Sequence, residues 1–395
     1  MGHFKPSDHH PHSLRVEDLH LSSGYPVSHL HKMSDRLFIE IHPVGDLFYR
    51  HNQRVTGANR VDGEEGDGFV VATNKVARQV ADDDLRKNSA HTGIFEKKDT
   101  SLPMPELPEV ETVRRSIAER IRGRRIERVV VRDNYVLRGQ QVSRFIEGLE
   151  GQTFSESCRH GKLLFFPLPK LTLCIHLGMT GQLTVRLPHR ADTPFQIQPR
   201  TGLQRALQHP PDKHTHISME LDDGSGLHYR DIRKFGRVFW IPLEGREAVI
   251  RHFNLGVDPL TPEFSLQYLK AGLKNRRVAV KAALLDQKFL AGLGNIYVDE
   301  ALFLSGIRPG RGSYRVSGRM LEALYRAIVC VLEKGIEAGG TTLRDFINAD
   351  GESGYNQEGL LVYGRYGESC PGCGKTLRRG LFAGRTTTWC ANCQD

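Results

Sequence analysis

The sequence predicts a multidomain α+β protein in which an N-terminal helix leads into an antiparallel β-sandwich or barrel, and a helical unit then ends in a cysteine-bearing hairpin. Three observations predict it. Apolar residues recur at helical spacing just after Met104, alternate through many short runs up to Pro242, and return to helical spacing past Pro259. Four of the seven cysteines lie near the C-terminus as two C-x2-C pairs. With 395 residues, two or three domains with cores of their own are expected.

Residues 1–103 differ from the rest. They hold ten of the eighteen histidines, no cysteine, and the polar stretches Arg60–Gly68 and Ala81–Lys87. Alternation is confined to Arg36–His42 and Gly68–Ala72. The segment reads as a disordered tail, or as upstream sequence ahead of a true start at Met104, with a metal-binding histidine tract as the alternative.

From Pro108 the apolar stripe Val110, Val113, Ile117, Ile121 marks a helix, with proline in the first turn, where its missing N–H costs nothing. Strands follow at Arg125–Val131, Leu163–Leu168, Leu171–Leu177, Gly181–Val185, Ile217–Leu221, Gly226–Asp231 and Gly236–Pro242. The 28 residues Leu187–His214 read as a surface loop. Two prolines in residues 257–264 mark a linker. Beyond it Ala282–Leu290, Asn295–Leu304 and Arg319–Ile336 read as helices, the last ended by Gly339–Gly340. The resulting domains are 104–258, 259–345, a Gly-rich loop region 346–369, and 370–395.

Cys370 and Cys373, then sixteen residues, then Cys390 and Cys393 can place four thiolates on one tetrahedral ion, so one structural Zn2+ is expected, with no coordination position left for catalysis. Cys158, Cys174 and Cys330 read as buried thiols in a reducing compartment. No run approaches the roughly 18 apolar residues of a membrane span, and the first residues lack a signal-peptide core, so no membrane partner and a cytoplasmic location are expected. Charge is uneven: 13 Lys and Arg against 15 Asp and Glu in residues 1–103 give −2, whereas 42 against 31 in residues 104–395 give +11. A basic surplus confined to one part suits a polyanion such as nucleic acid. Lys375, Arg378, Arg379 and Arg385 concentrate it between the cysteine pairs, on a hairpin placed to grip phosphates.

Met104-Pro105-Glu106-Leu107-Pro108-Glu109-Val110-Glu111 resembles the start of formamidopyrimidine-DNA glycosylases. The resemblance continues through His160-Gly161-Lys162, His176-Leu177-Gly178-Met179-Thr180-Gly181, Asp231-Ile232-Arg233-Lys234-Phe235-Gly236, Gly292-Leu293-Gly294-Asn295-Ile296-Tyr297 and the finger, covering nearly all of residues 104–395 in family order. It implies a β-sandwich with an N-terminal helix, a helix-two-turn-helix domain, and a β-hairpin zinc finger. The implied activity is base-excision repair: removal of oxidised purines from damaged double-stranded DNA by a monomeric, nucleoid-associated glycosylase and abasic-site lyase, ending in β,δ-elimination.

By the same resemblance Pro105 is the nucleophile, its secondary amine forming a Schiff base with the sugar C1′. Unperturbed α-amines titrate at about 7.7–8.0, so such an amine is available near neutral pH. Glu106 exchanges protons, and Glu109 is a supporting carboxylate. Glu111 reads as a helix-start charge. Lys162, Asn295 and Arg385 hold backbone phosphates, Lys162 and Arg385 counting among the catalytic residues as well, and Lys281 is assigned to DNA or lesion contact. Since a stacked base must be flipped out, Met179, Arg233 and Phe235 are expected to fill the hole. Residues 350–367 resemble the lesion-recognition loop, expected to be mobile without DNA. One departure stands out: in a chain that begins at Met1 the Pro105 nitrogen is an internal amide. The rival readings are a lesion-binding protein blocked by residues 1–103 and a sister-family glycosylase for oxidised pyrimidines.

Overall fold

The computed structural model describes residues 38–41, 47–50, 70–71, 104–186, 211–242, 245–342, 346, 348 and 352–395. Two compact units divide the chain, Met1–Ile94 and Phe95–Asp395. In the first, β1 (Phe38–Ile41), β2 (Leu47–Arg50) and β3 (Val70–Val71) pair antiparallel in that order, and β1 and β3 fall on the two alternating stretches of the sequence. Most of the long loop, residues 187–210, lies outside the described residues, as do residues 350–351 at the start of the Gly-rich loop.

The second unit begins with α1 (Leu107–Ile121) and β4 (Ile126–Val131), followed by α2 (Val142–Leu149). Then come β5 (Cys158–His160), β6 (Leu163–Leu168), β7 (Leu171–His176), β8 (Gly181–Arg186), β9 (Thr215–Leu221), β10 (Gly226–Asp231) and β11 (Arg237–Ile241). They form two four-stranded antiparallel sheets, β4-β9-β10-β8 and β11-β7-β6-β5. One core serves both: Val129, Ile217, Met219, Leu227 and Leu183 from the first sheet meet Leu164, Phe166, Leu173, Ile175 and Val238 from the second. The alternation of apolar residues along each strand puts one row inward, which is why two sheets can share a core. The predicted stripe of α1, Val110 to Ile121, joins the same core.

The helices α3 (Arg246–Phe253), α4 (Leu266–Lys274), α5 (Val280–Leu285), α6 (Asn295–Leu304) and α7 (Arg319–Glu337) follow. The last four enclose a second core around Leu269, Leu284, Val298, Leu302 and Ile328, and Leu107, the first residue of α1, belongs to this second core. The helix expected over Ala282–Leu290 begins two residues earlier and stops at Leu285. Asp286 Oδ1 accepts the Lys288 N–H at 3.0 Å, and the Phe289 and Leu290 N–H groups both donate to the Asp286 carbonyl, so the chain turns there while Phe289 and Leu290 stay buried. The hairpin β12 (Arg378–Phe382) and β13 (Arg385–Trp389) packs over a small third core of Val362, Cys370, Leu377 and Cys390.

Candidate active site and nucleic-acid interface

The start of α1 sits where the two larger cores meet. Pro105 is half-buried, and the next residue, Glu106, is buried at the N-cap of α1, donating its own N–H to Glu109 Oε2 at 2.8 Å. Leu107 N–H donates to the Gly292 carbonyl at 3.1 Å, fixing the helix start against the turn that precedes α6. The Glu106 Oε1 accepts the Ile296 N–H at 3.0 Å, one of the donors that the first turn of α6 leaves without an intrahelical partner. The other oxygen, Oε2, is buried without a partner. Lys162, on the turn between β5 and β6, is also buried beside this carboxyl. A Cβ on Gly294 would come 2.3 Å from the Glu106 carboxyl carbon and 2.6 Å from Lys162 Nζ, so only glycine lets both side chains reach this point.

Burial raises the Glu106 carboxyl to about 7, with Lys162 opposing the rise and Glu109 adding to it. Burial also pushes the Lys162 ammonium down, against the pull of Glu106. A carboxyl that titrates near neutrality can both give and take a proton, which an ordinary surface glutamate does poorly. Glu109 has a different setting. Its Oε1 accepts Tyr297 OH and the Thr341 N–H, each at 2.7 Å, so it ties α1 to α6 and to the segment after α7. Glu111 is held by Arg114, Arg115 and Arg159 and pushed down to about 2 by those guanidiniums despite partial burial, a structural ion cluster. Arg159 also pairs with Asp258, which accepts the Gly161 N–H at 2.8 Å and so fixes the turn carrying Lys162.

Asn295 heads α6 and donates its Nδ2 to the Thr386 carbonyl of β13 at 2.8 Å, beside Arg385, the first residue of that strand. Arg385 lies close enough to Lys162 to depress it further. The structure therefore gathers Pro105, Glu106, Lys162, Asn295 and Arg385 around the start of α1 and α6. Lys281, expected at DNA or the lesion, is fully buried, donating to Asp299 Oδ1 at 2.5 Å and Thr387 Oγ1 at 2.6 Å, and so joins α5 to α6 and the hairpin.

Met179 and the pair Arg233 and Phe235 occupy two neighbouring turns, after β7 and after β10. Phe235 is 43% exposed with the Arg233 guanidinium 4.6 Å from its ring centroid, and Met179 is half-buried. The turns touch backbone to backbone: a Cβ on Gly178, itself at φ +65°, would meet Gly236 N at 2.5 Å. Asp231, fully buried, fastens them. It accepts Thr180 Oγ1 at 2.5 Å, the Arg233 N–H at 3.2 Å, the Gly236 N–H at 2.8 Å and Tyr229 OH at 3.2 Å. Asp231 opens one of the motifs in the sequence, yet sequence reasoning gave it no role, and it missed Asp258 and Tyr297 as well. A buried aspartate at a strand end between glycine-bearing turns was the available signal.

In the Gly-rich loop, the N–H groups of Leu361, Val362 and Tyr363 all donate to the Glu300 carboxylate at 2.8–2.9 Å. The four finger cysteines bring their Sγ atoms within 4.8 Å of one another, with Cys370–Cys393 at 3.8 Å and Cys373–Cys390 at 3.5 Å. Four sulfurs each about 2.3 Å from a tetrahedral ion stand about 3.8 Å apart, whereas a disulfide would need about 2.05 Å. The Gly372 and Cys393 N–H groups point at Cys370 and Cys390 Sγ, both at 3.4 Å, as thiolate ligands require. The set fits one metal ion.

Comparison with known proteins gives concordant results. The family model for the formamidopyrimidine-DNA glycosylase N-terminal domain matches residues 104–238, and that for the helix-two-turn-helix domain of the same glycosylases matches residues 255–347. The formamidopyrimidine-DNA glycosylase of Pelotomaculum thermopropionicum is 40% identical over 74% of this chain and 99% of its own length; that of Bacillus subtilis is 38% identical over the same shares. Among solved structures, the MutM (Fpg) protein of Thermus thermophilus superposes with a TM-score of 0.61 at 35% identity, covering 73% of this chain and 98% of its own. The Lactococcus lactis Fpg, in complex with DNA containing an abasic site, superposes at 0.63 with 32% identity, covering 73% and 99%.

Proposed function

The chain belongs to the formamidopyrimidine-DNA glycosylase family and is a base-excision repair DNA glycosylase, and from that premise we propose that it removes oxidised purines through an imine on Pro105. Abasic-site lyase activity is typical of the family. The observation that carries this reading is the buried carboxyl of Glu106, one residue from Pro105 and held near neutrality beside Lys162.

The Pro105 nitrogen attacks the sugar C1′, the bond to the base breaks, and its electron pair leaves with the base, which takes up a proton. Glu106 supplies or relays that proton. Once the nitrogen has lost its proton, its lone pair forms the C1′ iminium as the C1′–O4′ bond breaks and the ring oxygen takes up a proton from Glu106, and the positive charge acidifies C2′. Loss of the C2′ proton expels the 3′ phosphate, and a second elimination expels the 5′ phosphate. Lys162, Asn295 and Arg385 hold the phosphates flanking the sugar, and Glu109 keeps the start of α1 in place. Met179 enters the stack, Arg233 pairs with the orphaned base and Phe235 stacks on its neighbour. The Lactococcus lactis protein crystallises on DNA bearing formamidopyrimidine and abasic sites, which supports damaged duplex DNA as the ligand here.

This chemistry needs a free amine, so the active form begins at Pro105, in keeping with a family model that matches from residue 104 and relatives matched over 99–100% of their length. The finger holds Zn2+, the ion whose tetrahedral thiolate geometry the four cysteines match. The active protein is a cytoplasmic monomer; among the described residues no helix is long and apolar enough to cross a membrane.

Borohydride trapping on an 8-oxoguanine duplex tests the reading, with the 395-residue chain and a form starting at Pro105, the adduct located by mass spectrometry. An adduct on Pro105 in the short form is expected. Tight binding by both forms with no adduct in either replaces catalysis with lesion binding.

A further inference from the structure

Away from the lesion site, the loop after α6 and the hairpin enclose a recess of about 370 Å³ lined by Arg308, Gly310, Arg311, Arg315, Phe382 and Asp395. Three arginines line it together with Asp395, the last residue, which brings both a side-chain and a terminal carboxylate. The side-chain carboxylate is weakly engaged: Asp395 Oδ2 is 3.8 Å from Arg311 and its side chain is 97% exposed. Arg311 Nε is buried without a partner, and Arg315 donates its Nε only to Tyr314 OH, at 3.1 Å. No hydrogen bond or ion pair ties the Arg308 side chain to the described residues. Three arginines outnumber the two carboxylates of Asp395, which leaves the recess net positive, and planar guanidiniums match phosphate oxygens.

The recess is built, not a chance gap between mobile side chains. The Arg311 carbonyl accepts the Val280 N–H at 2.7 Å, the Ser313 N–H donates to the Val278 carbonyl at 2.9 Å, and the Arg308 N–H donates to the terminal carboxylate of Asp395 at 2.9 Å. Gly310 packs against the Phe382 ring so closely that a Cβ would lie 2.6 Å from Cε1. Phe382 pairs in register with Arg385 across the hairpin, so the recess and the phosphate-facing start of β13 share one rigid element.

We propose that this recess is a second phosphate subsite, which takes a backbone phosphate of the bound nucleic acid beyond those held at the lesion. The proposal rests on the reading of the hairpin as a DNA-contacting element. The subsite adds length-dependent affinity without touching the reacting sugar, so it acts on how long the protein stays on DNA and not on the chemical step.

The test uses the full chain, wild type, the triple variant Arg308→Ala, Arg311→Ala, Arg315→Ala, and the corresponding triple lysine variant. Binding is followed by fluorescence anisotropy over a salt series, on abasic-analogue and undamaged duplexes whose flanks are lengthened on one side at a time. The alanine triple is expected to reduce the log–log salt slope by about 0.9 for each phosphate it no longer neutralises, and to abolish a step in affinity that wild type shows as one flank lengthens. The lysine triple keeps most of the slope, which shows that the alanine effect is one of charge and not of fold. Equal slopes and equal steps in wild type and the alanine triple overturn the subsite. Inorganic phosphate, titrated at constant ionic strength, separates the sources: arginine-dependent phosphate binding without any change in duplex slope overturns the nucleic-acid assignment. If wild type does not prefer the abasic duplex, the lesion reading falls, while an arginine-dependent slope on undamaged duplex still upholds the subsite.

Discussion

At the scale of single residues, Glu106 and Lys281 carry opposite lessons about buried charge. Glu106 has one oxygen without a partner and a carboxyl raised to about 7 by burial, so its protonated form is favoured by folding. Its stabilising effect is therefore full below the unfolded value of 4.5 and is lost as pH rises through about 7. Replacing it with glutamine should raise Tm at pH 8 relative to wild type and leave it near wild type at pH 4, measured by scanning calorimetry. The same Glu106→Gln change should slow base excision by about 100-fold or more in single-turnover assays, and wild-type excision should fall as pH rises above about 7 if the acid form drives it. Lys281, by contrast, is paired with Asp299 and Thr387. Lys281→Met leaves a buried carboxylate alone and should cost about 3–5 kcal/mol in urea unfolding, whereas adding Asp299→Leu should recover much of it. An unchanged salt slope of DNA binding in the double variant would confirm that Lys281 touches no phosphate.

The turns and helices show what was legible in the sequence and why. The helix α1 was readable because its stripe from Val110 to Ile121 fills one core, and β6 through β11 because alternation maps onto two sheets sharing that core. The end of α5 was not readable: its apolar spacing continues through Phe289 and Leu290, and only the Asp286 turn, a local side-chain effect, breaks the helix. The short helices α2, α3 and α4 offer two turns each, too little for a period to stand out. At the site, motif resemblance singled out Glu106 and Lys162, yet their mutual burial depends on Gly294, more than 130 residues from Lys162. Asp231 escaped because the bond that ties its turn to the neighbouring one comes from Thr180, distant in sequence, while its other donors lie within five residues and look like an ordinary turn. It supplies the test proper to this scale: Asp231→Asn, which turns one acceptor oxygen into a donor facing N–H and O–H groups, should cost about 2 kcal/mol and blunt strand insertion. A fluorescent base analogue opposite the lesion would report that defect as slower eversion, while cleavage of preformed single-stranded abasic sites stays unchanged.

At the scale of the molecule, the three cores make distinct demands. The smallest, under the hairpin, relies on four cysteines that fit one metal ion, so chelation should unfold the finger first. One zinc per chain by elemental analysis is expected, and its removal should abolish duplex binding while leaving most of the far-UV circular dichroism intact. Retained tight binding without metal would contradict the placement of Arg385 and Asn295 at the DNA. The two larger cores are joined through α1, whose first residue, Leu107, belongs to the helical core while Val110 onward belongs to the sheets. A helix shared in this way is the one element that belongs to both bodies. Any tilt of one core against the other would turn about it, and the side chains clustered at its start would be displaced least, whereas turns far from it, such as the one bearing Phe235, would be carried with their own core.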